Sequence, residues 1–105
     1  MPMHNPAHPG EILRDQFEGL SVTQVAAHLG VSRVMLSRIL NCKAGVTAEM
    51  SLKLAEALNT SPDLWFRIQN QYDFWQAAQA KRKKIKPLNL LQSEEPHHPG
   101  QQPTL

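Results

Sequence analysis

The stretch that decides the fold is Val22-Thr23-Gln24-Val25-Ala26-Ala27-His28-Leu29-Gly30-Val31-Ser32-Arg33-Val34-Met35-Leu36-Ser37-Arg38-Ile39-Leu40. Its apolar residues recur at helical spacing, and strand-like alternation is absent. It reads as one helix of about eight residues ending at Leu29-Gly30, then a second that begins at Ser32. A turn this short forces the two helices to cross steeply, which is the geometry of a helix-turn-helix. Ala26 must be small where the second helix crosses the first. Gly30 must take the left-handed conformation of a helix exit. Leu36 must be apolar to anchor the second helix, and Val25, Leu29, Val31 and Ile39 complete the inner face.

Outward from this hairpin, the prolines mark where order should end. Seven of the eight lie at positions 2, 6, 9, 87, 96, 99 and 103. Proline lacks a backbone donor and breaks helix interiors, so the middle of the chain is free to be helical and its ends are not. A first helix over Pro9 to about Glu18 puts Ile12, Leu13 and Phe17 on one face. The helix after Ser21 opens with a capping box, Ser21 with Gln24 at the third helical position, and buries Val22, Val25, Ala26 and Leu29. Ser32 caps the next. A fourth starts at Thr47, carries Met50, Leu52, Leu54, Ala55 and Leu58 inward and stops at Asn59. A fifth has Ser61 as cap, Pro62 at its first position and Asp63 beside the positive helix end, and runs to about Lys84. The expected fold is an all-α, five-helix bundle. The chain divides into a flexible arm over 1–8, a helix-turn-helix and dimerisation domain over 9–80, a basic extension over 81–86 and a disordered tail over 87–105.

Charge placement points to function. The 105 residues hold 11 Lys/Arg and 9 Asp/Glu, a formal net charge of only +2, which by itself suggests no nucleic-acid partner. Yet from Gly19 to Ala48 there is no Asp or Glu, while Arg33, Arg38 and Lys43 are present. A surface that approaches phosphates excludes carboxylates. With Leu36, Ile39 and Leu40 facing inward, Arg33, Val34, Ser37, Arg38 and Asn41 project outward. These are groove-reading types. Arginine bonds guanine in bidentate fashion, serine and asparagine bond base edges or phosphates, and valine touches a thymine methyl. The open amides near Ser21 and Ser32 suit phosphates, and Lys43 in the next loop suits the backbone. The plainer alternative is a helical hairpin whose arginines are merely solvated.

The chain resembles the short HigA-type antitoxins, within the Xre (lambda-repressor-like) helix-turn-helix group. The resemblance covers about residues 8–78. It is carried by His8-Pro9-Gly10-Glu11-Ile12-Leu13, Leu29-Gly30-Val31-Ser32-Arg33 and Leu36-Ser37-Arg38-Ile39-Leu40. Val46-Thr47-Ala48-Glu49-Met50, Leu54-Ala55, Ser61-Pro62-Asp63-Leu64-Trp65-Phe66, Gln69 and Tyr72-Asp73 continue it. The resemblance implies a homodimer on a palindromic operator in its own promoter. It also implies a HigB-type toxin as partner, a ribosome-dependent ribonuclease of the RelE type. The basic run and the Pro/His-rich tail after about Ala80 have no counterpart in that pattern. Two other readings stay open: a stand-alone Xre-family repressor without a toxin, and a helical protein-interaction module that binds no DNA.

A helix-turn-helix alone reads few base pairs, so two copies about one DNA turn apart are expected. Trp65, Phe66, Tyr72, Phe74 and Trp75 fall close together in the fifth helix. Trp65 is assigned to the core, and Phe66, Tyr72 and Phe74 to self-association, because aromatic residues are favoured at interfaces. The run Lys81-Arg82-Lys83-Lys84-Ile85-Lys86 reads either as a solvated helix end suited to the helix dipole or as an auxiliary contact to DNA backbone.

Other classes find little support. Cys42 is the lone cysteine, so no intrachain disulfide is expected, and a free thiol fits a reducing cytosol. No apolar run approaches a membrane span, and the N-terminus lacks the pattern of a signal peptide. The chain is therefore expected to be cytoplasmic. His97-His98 and the pair His4 and His8 lack a third ligand at fixed spacing, so no metal site is expected. No catalytic set or phosphate loop stands out, and neither enzyme activity nor a cofactor is expected.

Overall fold

Three of the five helices start on a hydroxyl. The computed structural model describes residues 5–89, which fold into α1 (Pro9–Gln16), α2 (Val22–Leu29), α3 (Arg33–Leu40), α4 (Ala48–Leu58) and α5 (Leu64–Gln79), with no strand among the described residues. The all-α, five-helix architecture expected from the sequence is the one observed. Ser21 Oγ accepts from the Gln24 amide at 3.1 Å, Ser32 Oγ from Met35 at 3.0 Å, and Thr47 Oγ1 from Met50 at 3.1 Å. Such a cap contributes about 1 kcal/mol to its helix. α1 starts differently. His8 is its cap, and its Nδ1 accepts from the Gly10 amide at 2.8 Å.

The ends of α2, α3 and α4 share one device. Gly30, Cys42 and Asn59 all have left-handed backbones, with φ of 76°, 61° and 60°. Behind each, the following amide reaches back to a carbonyl of the last helical turn: Val31 to Ala26 at 3.0 Å, Lys43 to Arg38 at 2.8 Å, Thr60 to Ala55 at 3.0 Å. That bond satisfies a carbonyl the helix would otherwise leave open.

One apolar core joins the helices. Leu13 of α1 and Phe17 just after it, Val25, Ala26 and Leu29 of α2, and Leu36, Ile39 and Leu40 of α3 meet Met50 and Leu54 of α4 and Trp65 of α5. Ala26 is buried at 2% exposure, as the crossing of α2 and α3 requires. Gly10 lies so close to the Ile39 carbonyl that a Cβ would collide with it. α1 therefore packs backbone-to-backbone on the end of α3.

Three expectations need correction. Leu52 is 52% exposed, not part of the inner face. Met50 and Leu54, one helical turn apart, point into the core, and a residue two positions on from Met50 falls on the opposite side. Second, α5 begins at Leu64, two residues after Pro62. The Ser51 hydroxyl explains the delay: it donates to the Pro62 carbonyl at 2.8 Å and accepts from the Phe66 amide at 3.1 Å. It thus stands between the two groups that would have closed the first helical turn. Third, α5 stops at Gln79 and does not reach Lys84. Residues 76–89 are all exposed, so no burial supports further turns. Like charges three and four apart in the basic run would repel on a helix.

No helix among the described residues is long and apolar enough to cross a membrane. Residues 1–4 and 90–105 lie outside the described residues, and with them His4, His97, His98 and most of the expected tail.

Candidate nucleic-acid interface

The outer face of α3 is built by elimination. Leu36, Ile39 and Leu40 take the core side, so Arg33, Val34, Arg38 and Asn41 are exposed and Ser37 is half-buried beside them. Val34 stands out at 65% exposure, a β-branched apolar side chain in a polar row. Arg33 and Lys43 are exposed, and neither side chain forms a hydrogen bond or ion pair among the described residues. Ser21 and Ser32 use their oxygens as helix caps, which leaves each hydroxyl proton to donate elsewhere.

Two of the expected reading residues are engaged within the chain. Arg38 Nη2 donates to the Lys43 carbonyl at 3.1 Å, clamping the turn that follows α3. A guanidinium has five N–H donors, so most of its capacity remains. Asn41 is more fully engaged. Its Nδ2 donates to the Ser37 carbonyl at 2.9 Å and to Ser37 Oγ at 3.4 Å, while its Oδ1 accepts from Arg14 Nη2 at 3.2 Å. Arg14 comes from α1. Its own helix and the residues just beyond offer Glu11, Asp15 and Glu18, yet it pairs with none of them.

The loop after α3 is held from α5. Gln69 is buried at 6% exposure. Its Oε1 accepts from the Val46 amide at 2.8 Å, and its Nε2 donates to Asp73 Oδ1 at 3.0 Å. Trp65, Ile68, Tyr72 and Trp75 recur at helical spacing along one side of α5, and a polar residue among them was the available signal for this strut. A side chain at Gly45 would press on Gln69, with a Cβ only 3.1 Å from its Cδ. The loop carrying Lys43 is thereby fixed against the domain.

His8 joins the same region. Its ring meets Tyr72 edge-on, with centroids 4.9 Å apart and planes at 76°. Burial pushes its pKa below the ordinary 6.5, partly offset by the carboxylates of Asp73 and Glu11. The neutral ring is the form that can cap α1, because Nδ1 must accept.

Carboxylates near the α3 surface are not wholly absent. Glu49, just past the acid-free window, lines the groove that Ser32 and Met35 also line, and Lys53 pairs with it at 3.8 Å. Met35 is 45% exposed there. On α5, Phe74 is 65% and Phe66 37% exposed. Tyr72 is half-buried, and its hydroxyl accepts from Gln76 Nε2 at 2.9 Å. Among the described residues no group of three or more His, Cys, Asp or Glu is arranged to hold a metal ion.

Comparison with known proteins gives the same picture. A family model described as helix-turn-helix matches residues 13–65. Virulence-associated protein A' of Dichelobacter nodosus is 37% identical over 89 residues, covering 82% of this chain and 77% of that protein. Antitoxin HigA-1 of Vibrio cholerae is 36% identical over 90 residues, covering 79% and 84%. Among solved structures, Pseudomonas aeruginosa antitoxin HigA with the higBA promoter superimposes with a TM-score of 0.65 at 35% identity, over 69% of this chain and 82% of that one.

Proposed function

This chain belongs to the Xre-type helix-turn-helix family, alongside HigA-type antitoxins, and we propose that it represses its own promoter as a homodimer and neutralises a HigB-type toxin. The observation that carries the reading is the outer face of α3, where Arg33, Val34, Ser37 and Arg38 stand exposed or half-exposed with no acid among them. The start of α3 enters the major groove, so Arg33, Val34 and Ser37 meet base edges. Arg38 and Asn41 follow along the groove. Lys43 and the caps Ser21 and Ser32 meet phosphates, which fix register without reading sequence. The Pseudomonas relative solved with the higBA promoter supports DNA as the partner, and the Vibrio relative named as an antitoxin supports the toxin.

The operator is a palindrome, since one α3 reads only a few base pairs and two related by a dimer axis read enough. Self-association runs through Phe66, Tyr72 and Phe74, of which Phe74 offers the largest exposed area. Phe74→Glu should yield a monomer by light scattering with weaker operator binding, and an unchanged mass would remove this interface.

Operator affinity should be on the order of 10 nM at physiological salt. In gel shifts with the promoter, Arg38→Ala should cost roughly 1–3 kcal/mol. If Arg33→Ala and Arg38→Ala both bind as wild type, the α3 assignment is wrong. Co-expression with the adjacent gene product tests the toxin. Growth rescue and co-purification are expected. Operator binding without rescue would leave a stand-alone repressor.

A further inference from the structure

The run Lys81-Arg82-Lys83-Lys84-Ile85-Lys86 has two readings in the sequence, and the structure removes the support for one. A solvated helix end gains from cations only within the last turn, where the dipole acts. α5 ends at Gln79, and Ala80 is already extended, with φ −73° and ψ 145°. The cations lie past that turn. All residues from 80 to 89 are exposed, and none of the five cations pairs with a carboxylate among the described residues.

The place where this segment leaves the domain also matters. Gln69 ties α5 to the loop at Val46, and Tyr72 rests on His8. Gly10, two residues after His8, abuts the Ile39 carbonyl in the last turn of α3. α5 is therefore anchored at the end of α3 that carries Arg38, Asn41 and Lys43. It ends about two turns, or roughly 10 Å, beyond Tyr72.

We propose that residues 81–86 form an extended strap that grips the phosphates of DNA flanking the site read by α3. The inference rests on the operator reading above and adds a second contact to it. Four of the five cations are lysines, point charges without a fixed fork, and on an extended backbone such a run suits phosphates better than base edges. Six extended residues reach at most about 20 Å, which spans roughly six base pairs at 3.4 Å each.

The test uses the full chain and two duplexes from its own promoter. One is trimmed to the footprinted palindrome. The other adds about eight base pairs of unrelated sequence on each side, longer than the estimated reach. Binding is followed by fluorescence anisotropy between about 50 and 200 mM salt. The wild type should bind the flanked duplex several-fold more tightly, with a steeper salt dependence. The triple variant Lys83→Gln, Lys84→Gln, Lys86→Gln should match wild type on the trimmed duplex and lose the flank gain. Its slope on the flanked duplex should shrink by up to roughly 2.7 per protomer. Equal wild-type affinity for both duplexes, or a flank gain that survives in the variant, overturns the strap. Loss of wild-type binding to both overturns the operator reading, and the strap with it.

Discussion

Replacing Ser51 with alanine should loosen α5 from α4 while leaving the α3 surface intact. Ser51 is 1% exposed. Its hydroxyl satisfies the Pro62 carbonyl at 2.8 Å and the Phe66 amide at 3.1 Å. Each group left unpartnered costs about 1–3 kcal/mol, so the upper limit is about 6. The two groups are four residues apart, however, and a partial rewinding of the α5 start would let them approach. That relief brings the expected loss to about 2–4 kcal/mol. A domain of this size has a stability on the order of 5–10 kcal/mol, so the midpoint shift should be unmistakable. The assay is urea unfolding followed by tryptophan fluorescence, because buried Trp65 sits one residue before Phe66. Protomer concentration must be held constant, since a dimer's stability depends on it. Ser51→Ala should lower the midpoint at an unchanged slope and leave operator affinity within threefold at a temperature where the variant is folded. A loss below about 0.5 kcal/mol, the usual spread of neutral substitutions, would mean that Pro62 and Phe66 pair directly. The hydroxyl bridge would then add no net stability to the junction of α4 and α5.

Three further outcomes follow from the structure. Cys42 holds a left-handed backbone at the α3 exit, which costs an L-residue roughly 1–2 kcal/mol. Cys42→Gly should therefore raise stability by about 1 kcal/mol in the same unfolding assay, and a loss would show that the side chain contributes packing that outweighs the strain. His8 is held neutral in the fold by burial. The unfolded chain takes up its proton as pH falls below 6.5, so the folded state loses stability in that range and keeps it above. His8→Asn retains a capping oxygen and should lose less stability than wild type between pH 7.5 and about 5.5; equal losses would remove His8 as the source. Arg14 meets Asn41 across helices, and its effect on DNA should run through that amide. Arg14→Ala should reduce discrimination against a mutated operator by about 0.5–1 kcal/mol at an unchanged salt slope. A slope smaller by about one would make Arg14 a phosphate contact instead.

What could be read from sequence alone was whatever is decided within a turn or two of chain. Ser21, Ser32 and Thr47 cap because the acceptor and the amide it receives lie three residues apart. Gly30 and Asn59 end helices by their own backbone preference. Such roles survive in a linear reading because the partner is always nearby. His8, Ser51 and Gln69 are different. Ser51 meets residues 62 and 66, Gln69 meets Val46, and His8 meets Tyr72. No periodicity encodes these pairings. The two errors in α5 have the same origin. Its start is set by a hydroxyl on α4, and its end by the absence of anything to pack on. Arg14 is illegible in a charge pattern read along the chain, because its partner Asn41 lies 27 residues on, at the end of α3.

The net charge of +2 gains meaning from this geometry. Residues 1–80 carry six Lys/Arg against seven Asp/Glu, and all the surplus lies in residues 81–86. The body of the domain, at a net of −1, therefore exerts no net long-range attraction on a polyanion. Arg33, Arg38 and Lys43 act only once the α3 face is close, since exposed charges are screened beyond roughly 8–10 Å. Arg38 also spends one donor on the Lys43 carbonyl. On the proposed strap, five cations with no ion pair among the described residues supply what the body lacks, an attraction that does not depend on prior alignment. Electrostatic steering of this kind raises association rates far more than it sharpens specificity. The two cationic groups should then separate kinetically. Substitutions at Arg33 or Arg38 should show mainly as faster dissociation, and substitutions at Lys83, Lys84 and Lys86 mainly as slower association with the flanked duplex, a difference that high salt abolishes.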